Sequence, residues 1–300
     1  MWLVKWLNRL FLGVMVFVLG CSVSNISPIK VYSDQNVMPI QAHRGGGLRL
    51  PENTLETFIE TWEMGIIPEA DIRTTSDDVI ICMHDKDATR LAPTTPDSLI
   101  KVPFEEMTLE VAQSLDVGSF RGGQVQHIPT LESVFKTMAG HPERFIYLDY
   151  KKIDLDRLAK MVKSYGLEKQ IIFTTKHHDL IMDWHARIPE SLSLLWIGGS
   201  LENIEKVFKS IREKDFLGIT TLQIHVKYAE LSSGLPFVPA PDYLEARLKE
   251  VSARGILFQV LPWKMVEPDV YVQLMDLGIR SFATDYPIMT VDLYQEFMAK

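Results

Sequence analysis

The chain has 300 residues, of which 46% are apolar, enough for one large α/β domain with a buried core. Its formal net charge of −8 argues against a surface that binds nucleic acid or another polyanion. Of the two cysteines, Cys21 lies in an N-terminal targeting pattern and Cys82 in the body of the chain, so no disulfide is expected.

The N-terminus has the pattern of an export signal. A basic segment precedes an apolar run at 10–19, which is too short to span a bilayer comfortably. The run ends in Val-Leu-Gly-Cys, typical of a bacterial lipoprotein cleavage box with Cys21 as the lipidated residue. We therefore predict a signal peptide at 1–21, a polar tether at 22–38, and an exported protein held at the membrane, on its periplasmic or cell-surface side, by a lipid anchor. An ordinary cleaved signal and an uncleaved anchor are the alternatives.

Short apolar runs and amphipathic runs alternate through residues 39–300. Strands are predicted at 39–43, 66–72, 145–149, 171–174, 192–197, 219–226, 256–260 and 279–283. Helices are predicted at 53–63, 131–138, 155–165, 201–214, 243–253 and 270–277, several of them followed by a glycine. Eight strands alternating with helices predict a single (β/α)₈ barrel, the TIM barrel.

One further β-like run, at 79–83, follows the second strand too closely for a parallel crossover. An antiparallel hairpin with a two-residue turn at 76–77 is therefore predicted. That register places His84 opposite Glu69 on one face of the hairpin.

The segment 86–130 is rich in proline and glycine and contains no strand pattern. We interpret it as an insertion over the rim of the barrel, where such a loop is able to cover a site and select substrates.

Candidate catalytic residues are concentrated between residues 43 and 85. His43 and Arg44 end the first strand and precede three glycines, while Glu69 and Asp71 alternate on the second strand. Imidazoles transfer protons near pH 7, hard carboxylate oxygens suit Mg²⁺ or Ca²⁺, and arginine with glycines suits a phosphate. Together with His84, the set indicates metal-assisted cleavage of a phosphodiester.

The same alternation recurs at the end of the third barrel strand. Asp149 is a candidate third metal ligand and Lys151 a candidate phosphate ligand, although a solvated strand end explains the pair equally well. A structural salt bridge from Arg73, on the same face by parity, is the alternative reading of Glu69 and Asp71.

Three later residues are candidates for the pocket wall: Gln223 and His225 on one strand face, and Trp263 after the seventh barrel strand. Each has a structural role as its alternative. Asp285, at the end of the last strand, is interpreted as ordering a loop rather than binding a ligand.

These motifs resemble the glycerophosphodiester phosphodiesterase family. The similarity rests on HRG, PENT, Glu-x-Asp and the His-Asp pair, and extends through IPTLE, Asp-x-Lys and TDYP to cover most of 39–290. The resemblance implies a TIM barrel with a small insertion, and one divalent metal ion, Mg²⁺ or Ca²⁺. It assigns metal binding to Glu69, Asp71 and Asp149, acid–base catalysis to His43 and His84, and the phosphate to Arg44 and Lys151.

Two departures separate this chain from the family pattern. Asp149 stands where the family has Glu, so its carboxylate has a shorter reach. Leu-Pro-Trp-Lys at 261–264 replaces the family's Trp-Thr-x-Asn, which shapes the leaving-group side of the pocket.

The predicted function is metal-dependent hydrolysis of glycerophosphodiesters to glycerol 3-phosphate and an alcohol. In the mechanism considered, one histidine, for which His43 is favoured, deprotonates the glycerol hydroxyl that attacks phosphorus. The other protonates the leaving alcohol, and water then opens a cyclic phosphate. The alternatives are phospholipase D-like action on lysophospholipid headgroups and a lipid-anchored, non-catalytic binding barrel. No protein partner is inferred.

Overall fold

The structure, a computed structural model, describes residues 27–92, 96–121 and 123–300. The predicted signal peptide and Cys21 lie outside the described residues. Within the described part of the chain, every helix is too short or too polar to cross a membrane.

Within the described residues, ten strands form the sheet. In chain order they are β1 Ile40–Ala42, β2 Ile67–Thr74, β3 Ile80–Cys82, β4 Ile146–Lys152, β5 Ile171–Thr175, β6 Leu192–Ile197, β7 Thr221–Tyr228, β8 Phe237–Val238, β9 Leu257–Pro262 and β10 Ser281–Thr284. Eight of them are parallel, and the sheet closes because β1 pairs with both β2 and β10. The predicted TIM barrel is confirmed. The other two strands form antiparallel pairs outside the barrel, β3 with β2 and β8 with β7.

Eleven helices are assigned within the described residues. They are α1 Pro28–Asp34, α2 Leu55–Glu63, α3 Asp97–Ile100, α4 Leu109–Gln113, α5 Leu131–Met138, α6 Leu155–Tyr165, α7 His178–Arg187, α8 Leu201–Glu213, α9 Pro241–Ser252, α10 Pro268–Asp276 and α11 Pro287–Met298. The predicted bounds of α5 and α6 agree with the structure because both helices carry explicit end signals. Thr130 and Asp154 cap their first turns through the side chain, and Gly166 ends α6 in the left-handed region.

The hairpin exists, but its predicted turn and register are wrong. The loop has three residues, with a β-turn closed by the Asp78 N–H on the Thr75 carbonyl and with Asp78 itself at φ 65°. The pairing is therefore shifted by one residue, and Asp71 lies opposite Met83. β3 ends at Cys82, so the alternation of side chains along the strand does not determine the direction of the His84 side chain. His84 nevertheless lines the pocket.

Part of the predicted tether is ordered against the barrel. Residues 28–34 form α1, and Tyr32 is 1% exposed with its ring edge-on to Phe145 at 5.3 Å. Tyr32 belongs to an apolar cluster that includes Ile67 and Leu257, residues at the amino ends of their strands. The tether prediction is therefore wrong for this part of 22–38, because an aromatic side chain there closes the amino end of the barrel.

The region predicted as an insertion, 86–130, contains α3 and α4 and has a core of its own. Phe104, Leu115 and Ile128 are buried there with Met83 of the hairpin, in a cluster separate from that of the barrel helices. This second cluster packs the insertion onto the hairpin and so fixes the backbone that carries His84.

Candidate active site

The candidate site is a cavity of about 250 Å³ at the carboxyl ends of the barrel strands. Every pocket and catalytic candidate from the sequence, except the buried Asp71, lines it. The lining residues are Gln41, His43, Arg44, Glu69, His84, Asp149, Lys151, Thr174, Trp196, Gln223, His225, Lys227, Leu261 and Trp263. The closed parallel sheet gathers these side chains because all its strands end at one rim.

Three buried carboxylates converge at this rim. Glu69, Asp71 and Asp149 each place a carboxylate oxygen within 4.8 Å of the others. Asp71 and Asp149 are register partners on the adjacent strands β2 and β4, so their side chains leave the sheet side by side. This pairing explains why the shorter Asp149 reaches the cluster.

Lys151 lies among the acids. Its Nζ is 2.9 Å from Asp71 Oδ1 and 2.5 Å from Asp149 Oδ2. Burial alone would raise the pKa of Asp71, but Lys151, His84 and Arg44 together hold it well below its usual value. Burial, with Asp71 and Asp149 nearby, raises the pKa of Glu69 to about 7, against the opposing effect of His43.

The donor set fits a hard divalent cation. One ammonium faces three buried carboxylates, which leaves net negative charge in a desolvated site, and the raised pKa of Glu69 reflects that excess. Carboxylate oxygens are the ligands that Mg²⁺ and Ca²⁺ prefer. Glu69, Asp71 and Asp149 are therefore the residues able to hold such an ion.

Asn53, the third residue of the PENT motif, fixes Asp71. Its Nδ2 donates to Asp71 Oδ2 at 2.8 Å, and its Oδ1 accepts the Asp71 backbone N–H at 2.8 Å. Asn53 has φ 57°, a left-handed conformation that asparagine tolerates, and Thr54 takes over the capping of α2. The PENT motif therefore supplies an anchor for a candidate metal ligand.

A row of glutamines holds Glu69 from below. Gln41 Nε2 donates to Glu69, and Gln223 Nε2 donates both to Gln41 Oε1 at 3.2 Å and to Gln259 Oε1 at 2.6 Å. Gln223, predicted as a pocket residue, thus lies in the floor and orients an acid through Gln41.

His43 is oriented by Asp285. Its Nδ1 lies 2.7 Å from Asp285 Oδ1, and the other carboxylate oxygen accepts the Lys264 backbone N–H at 2.9 Å. Because a carboxylate accepts only, Nδ1 carries the proton and Nε2 remains for the pocket. Burial lowers the pKa of His43, but Glu69 and Asp285 outweigh it and raise this pKa above its usual value. Asp285, interpreted as a loop residue, is a partner of His43.

We expect Asp285→Asn to lower kcat/KM at least about 10–100-fold, by analogy with the loss of a carboxylate that orients a metal-binding imidazole. Removing the carboxylate also lowers the pKa of His43. The limb of the pH–rate profile that His43 controls should move to lower pH, whether the ring acts as base or as acid. An unchanged profile, measured at saturating metal, would contradict the assignment; Asp292→Asn, exposed on α11, is the control.

The glycines after His43 allow close packing of the loop. Gly47 has φ 67°, and a Cβ there would lie 2.3 Å from the Asp285 carbonyl oxygen; a Cβ on Gly45 would lie 2.7 Å from the Phe58 ring. Sequence analysis linked these glycines to phosphate binding. In the structure they instead allow the backbone to pack closely against other parts of the protein. Arg44 itself has φ 54°.

An ion-pair network surrounds His84 and Arg44. Glu52, 1% exposed, accepts from Arg44 at 3.1 Å and twice from Arg90 at 2.7 Å. Arg90 also binds Asp85, which accepts from His84 Nδ1 at 2.7 Å. Arg44 Nη2 donates to His84 Nε2 at 3.2 Å, so the guanidinium lies between the acid network and the pocket.

Arg73 does not pair with the acids, although parity allowed it. Its guanidinium donates to the His84 carbonyl at 2.8 and 3.1 Å and to Glu105 at 2.7 Å. The register between β2 and β4 shifts between Ile72 and Arg73, so the alternation of side chains that would place Arg73 beside Glu69 and Asp71 is interrupted. Arg73 therefore ties the insertion to the backbone of His84.

The opposite wall of the pocket is aromatic. Trp196 stacks on His225 at 5.3 Å and 10°, and its Nε1 donates to Asp149 at 3.4 Å. Trp263 is 40% exposed. Burial lowers the pKa of His225 to about 4, so this ring is neutral at pH 7. His225 and Trp263 therefore lie where sequence analysis placed them.

Sequence reasoning did not identify Gln41, Glu52, Asn53, Trp196 or the pairing role of Asp285. Two signals for these residues are present in the sequence. Gln41 is polar within a buried strand, and Glu52 is a carboxylate inside PENT. Trp196 had none, since an aromatic residue in an apolar strand is ordinary core.

Comparison with known proteins agrees with this geometry. The sequence model of the Glycerophosphoryl diester phosphodiesterase family matches residues 43–289. A glycerophosphodiester phosphodiesterase from Caldanaerobacter subterraneus is 24% identical over 265 residues, covering 85% of this chain and 97% of that protein. Mouse lysophospholipase D GDPD1 is 28% identical over 279 residues, covering 86% of each chain.

Solved structures share the fold. A crystal structure of a glycerophosphoryl diester phosphodiesterase from Silicibacter pomeroyi has a TM-score of 0.69 at 19% identity, covering 87% of this chain and 94% of that one. A phosphodiesterase from Oleispira antarctica, solved with its product sn-glycerol-3-phosphate, has a TM-score of 0.63 at 19% identity over 88% and 99%.

Proposed function

The chain belongs to the glycerophosphoryl diester phosphodiesterase family, and on that premise we propose that it hydrolyses glycerophosphodiesters to glycerol 3-phosphate and an alcohol with one divalent metal ion. The convergence of Glu69, Asp71 and Asp149 beside two histidines is the observation that carries the proposal. The Oleispira antarctica relative with bound product supports the substrate class.

The residues divide into two functional groups. Glu69, Asp71 and Asp149 would hold the cation, which, when bound, polarises the phosphate and offsets its developing negative charge. Arg44, which faces the pocket, would donate to a phosphate oxygen. Lys151 already contacts two of the acids, and from there it adds positive charge beside the phosphate.

The two histidines would act as an acid–base pair. In His43 the proton is on Nδ1, so Nε2 is free to take the proton of the glycerol hydroxyl that attacks phosphorus. His84 donates Nδ1–H to Asp85, and its Nε2 accepts from Arg44. Once Arg44 turns to the phosphate, a protonated Nε2 of His84 would donate to the leaving oxygen. Water then opens the cyclic phosphate by the reverse sequence.

The test is direct release of sn-glycerol 3-phosphate from glycerophosphodiesters, with Mg²⁺ or Ca²⁺ added in separate reactions and EDTA as control. Metal-dependent release supports the proposal and identifies the ion. Failure on every diester tested, under conditions in which the protein is folded and binds metal, would contradict it.

A second candidate function is lysophospholipase D activity. The mouse relative carries that name, and Leu48, Trp263 and Val266 are exposed apolar residues after β1 and β9, where an acyl chain would find contact. Comparing turnover of glycerophosphocholine with that of lysophosphatidylcholine separates the two candidates. The assembly of acids, histidines and Arg44 at one rim argues against the non-catalytic alternative.

We also propose that Cys21 carries a lipid anchor and that the protein is exported to the periplasmic or cell-surface side. Five residues lie between Cys21 and Ser27, and the six steps along the chain span at most about 22 Å. Since α1 packs at the amino end of the barrel, the anchor would hold that end towards the membrane, and the mouth would face the aqueous phase. This orientation favours water-soluble diesters.

Cys21→Ser should move the protein out of the membrane fraction; unchanged fractionation would contradict the anchor.

A further inference from the structure

We propose that the wall of the pocket formed by β6, β7 and the segment after β9 is a subsite for a negatively charged leaving group. The substrate class would then be glycerophosphodiesters whose leaving alcohol carries a further anionic group, rather than choline or ethanolamine. The inference rests on the proposed function and adds to it the chemistry of the second alcohol.

Three lysines lie on this wall or beside it. Lys227, at the end of β7, lines the cavity, and Lys264 follows Trp263 directly. Lys176 follows β5 and lies beside Trp196. None of the three has an ion pair with a carboxylate within residues 27–92, 96–121 and 123–300. The wall therefore presents positive charge that is left unpaired by carboxylates in the part of the chain that the structure describes.

The aromatic rings of this wall are unsuited to a cationic headgroup. Quaternary ammonium groups bind the open faces of aromatic rings. Here the Nζ atoms of Lys227 and Lys264 lie 5.2 and 4.7 Å from the centroid of Trp263. A choline brought to this ring would meet two like charges at close range, which is unfavourable.

The second tryptophan is occupied in the same way. Trp196 stacks on His225, and Lys176 Nζ lies 5.8 Å from its centroid. The neutral His225 adds no charge of its own. Both tryptophans therefore have a lysine over a ring face, which favours an anion over a cation at that face.

Two acidic residues near this wall form no ion pair with the lysines. Asp285 binds His43 through one carboxylate oxygen and the Lys264 backbone N–H through the other. Glu267 directly precedes α10, and its carboxylate accepts from the hydroxyl of Tyr228 and from the backbone N–H of Val266 at 3.2 Å. The Glu267 carboxylate therefore has hydrogen-bond partners other than the lysines. The carboxylates in the cavity belong to the acid cluster, which a divalent ion would neutralise.

The position of the wall suits a leaving group. Arg44 and His84 lie on the side of the cavity formed by β1 and the hairpin, and the acid cluster on β2 and β4. The same cavity continues from His84 to β7 and the segment after β9, so a leaving alcohol whose ester oxygen lies beside His84 would extend along the cavity towards this wall. A second anionic group on that alcohol would lie within reach of Lys227 and Lys264.

The test is a charge series of three substrates. Bis(glycerophospho)glycerol, glycerophosphoglycerol and glycerophosphocholine release an anionic, a neutral and a cationic alcohol with the same glycerol 3-phosphate. We expect kcat/KM to fall in that order, with at least a tenfold difference between the first and the last after correction for the two equivalent ends of the first. Added salt should reduce the difference. Equal rates, or preference for glycerophosphocholine, overturn the inference.

The double variant Lys227→Gln, Lys264→Gln tests the residues. We expect the ratio of kcat/KM for bis(glycerophospho)glycerol over glycerophosphocholine to fall about 4–25-fold, because one partly exposed ion pair is worth about a factor of 2–5. Lys206→Gln, Lys209→Gln, exposed on α8, removes the same charge elsewhere and should leave the ratio unchanged. A fall of less than threefold in the first variant, or an equal fall in the control, overturns the assignment.

Failure of the proposed function is distinguishable from failure of this subsite. If the parental protein hydrolyses none of the three compounds, the proposed function fails. The subsite is then tested by calorimetric binding of bis(glycerophospho)glycerol and glycerophosphocholine to the same variants, with tighter binding of the first as the expected result and equal binding as the contradicting one.

Discussion

His43→Ala and His84→Ala are each expected to lower kcat/KM for a glycerophosphodiester by about 10²–10⁴-fold, the usual contribution of a positioned general acid or base. Both rings line the cavity, and each has its Nδ1 fixed by a carboxylate, Asp285 for His43 and Asp85 for His84. The measurement is steady-state kinetics at saturating metal. His141→Ala, a partly exposed histidine in the loop before β4, is the matched control and should keep parental activity.

The leaving group distinguishes the roles of the two rings. A p-nitrophenyl ester of glycerol phosphate needs no proton to depart, so the loss from His84→Ala should shrink on that substrate if His84 is the acid. The loss from His43→Ala should persist, since the base still has to deprotonate the attacking hydroxyl. The opposite pattern would exchange the roles, and parental rates in both variants would remove the histidines from the mechanism.

Loss of a metal ligand is the second large expected effect. Glu69→Gln and Asp149→Asn each remove one of three buried carboxylates, and we expect activity to fall about 10³-fold or more, since a bound ion contributes several kcal/mol of charge stabilisation in the transition state. Both replacements keep the size of the side chain, so packing is preserved. EDTA should reduce the parental protein to the same level.

Metal binding provides a readout independent of turnover. Calorimetric titration with Mg²⁺ and with Ca²⁺ should show one site in the parental protein and weakened binding in both variants. Asp292→Asn, exposed on α11, controls for the loss of one negative charge. Parental metal affinity in Glu69→Gln would show that the ion, if bound, lies elsewhere.

The strength of local signals explains which elements could be predicted. The bounds of β6, α5 and α6 agree with prediction, because apolar periodicity and capping residues are local in sequence. The hairpin turn was wrong because Asp78 adopts a left-handed conformation, and a three-residue loop and a two-residue loop differ by one residue in register. The tether was wrong because burial of Tyr32 depends on the open amino end of the barrel.

The residues of the candidate site also divide into those that the local sequence identifies and those that it does not. His43, Glu69 and Asp71 stand out because charged or titratable residues at strand ends are costly without a partner or a function. Their partners come from distant segments: Asp285 is 242 residues from His43, and Gln223 is 182 residues from Gln41. Spacing along the chain contains no information about such pairs.

By itself, the sequence determined the barrel, the family and the set of groups that carry the proposed chemistry, because periodicity and motif spacing are properties of short segments. Only the tertiary structure decided which side chain faces which: Lys151 among the acids, Arg73 on the insertion, and Lys227 and Lys264 around Trp263. Closure of the sheet through β1 brings those residues together, and a local bulge or a one-residue shift in register redirects them.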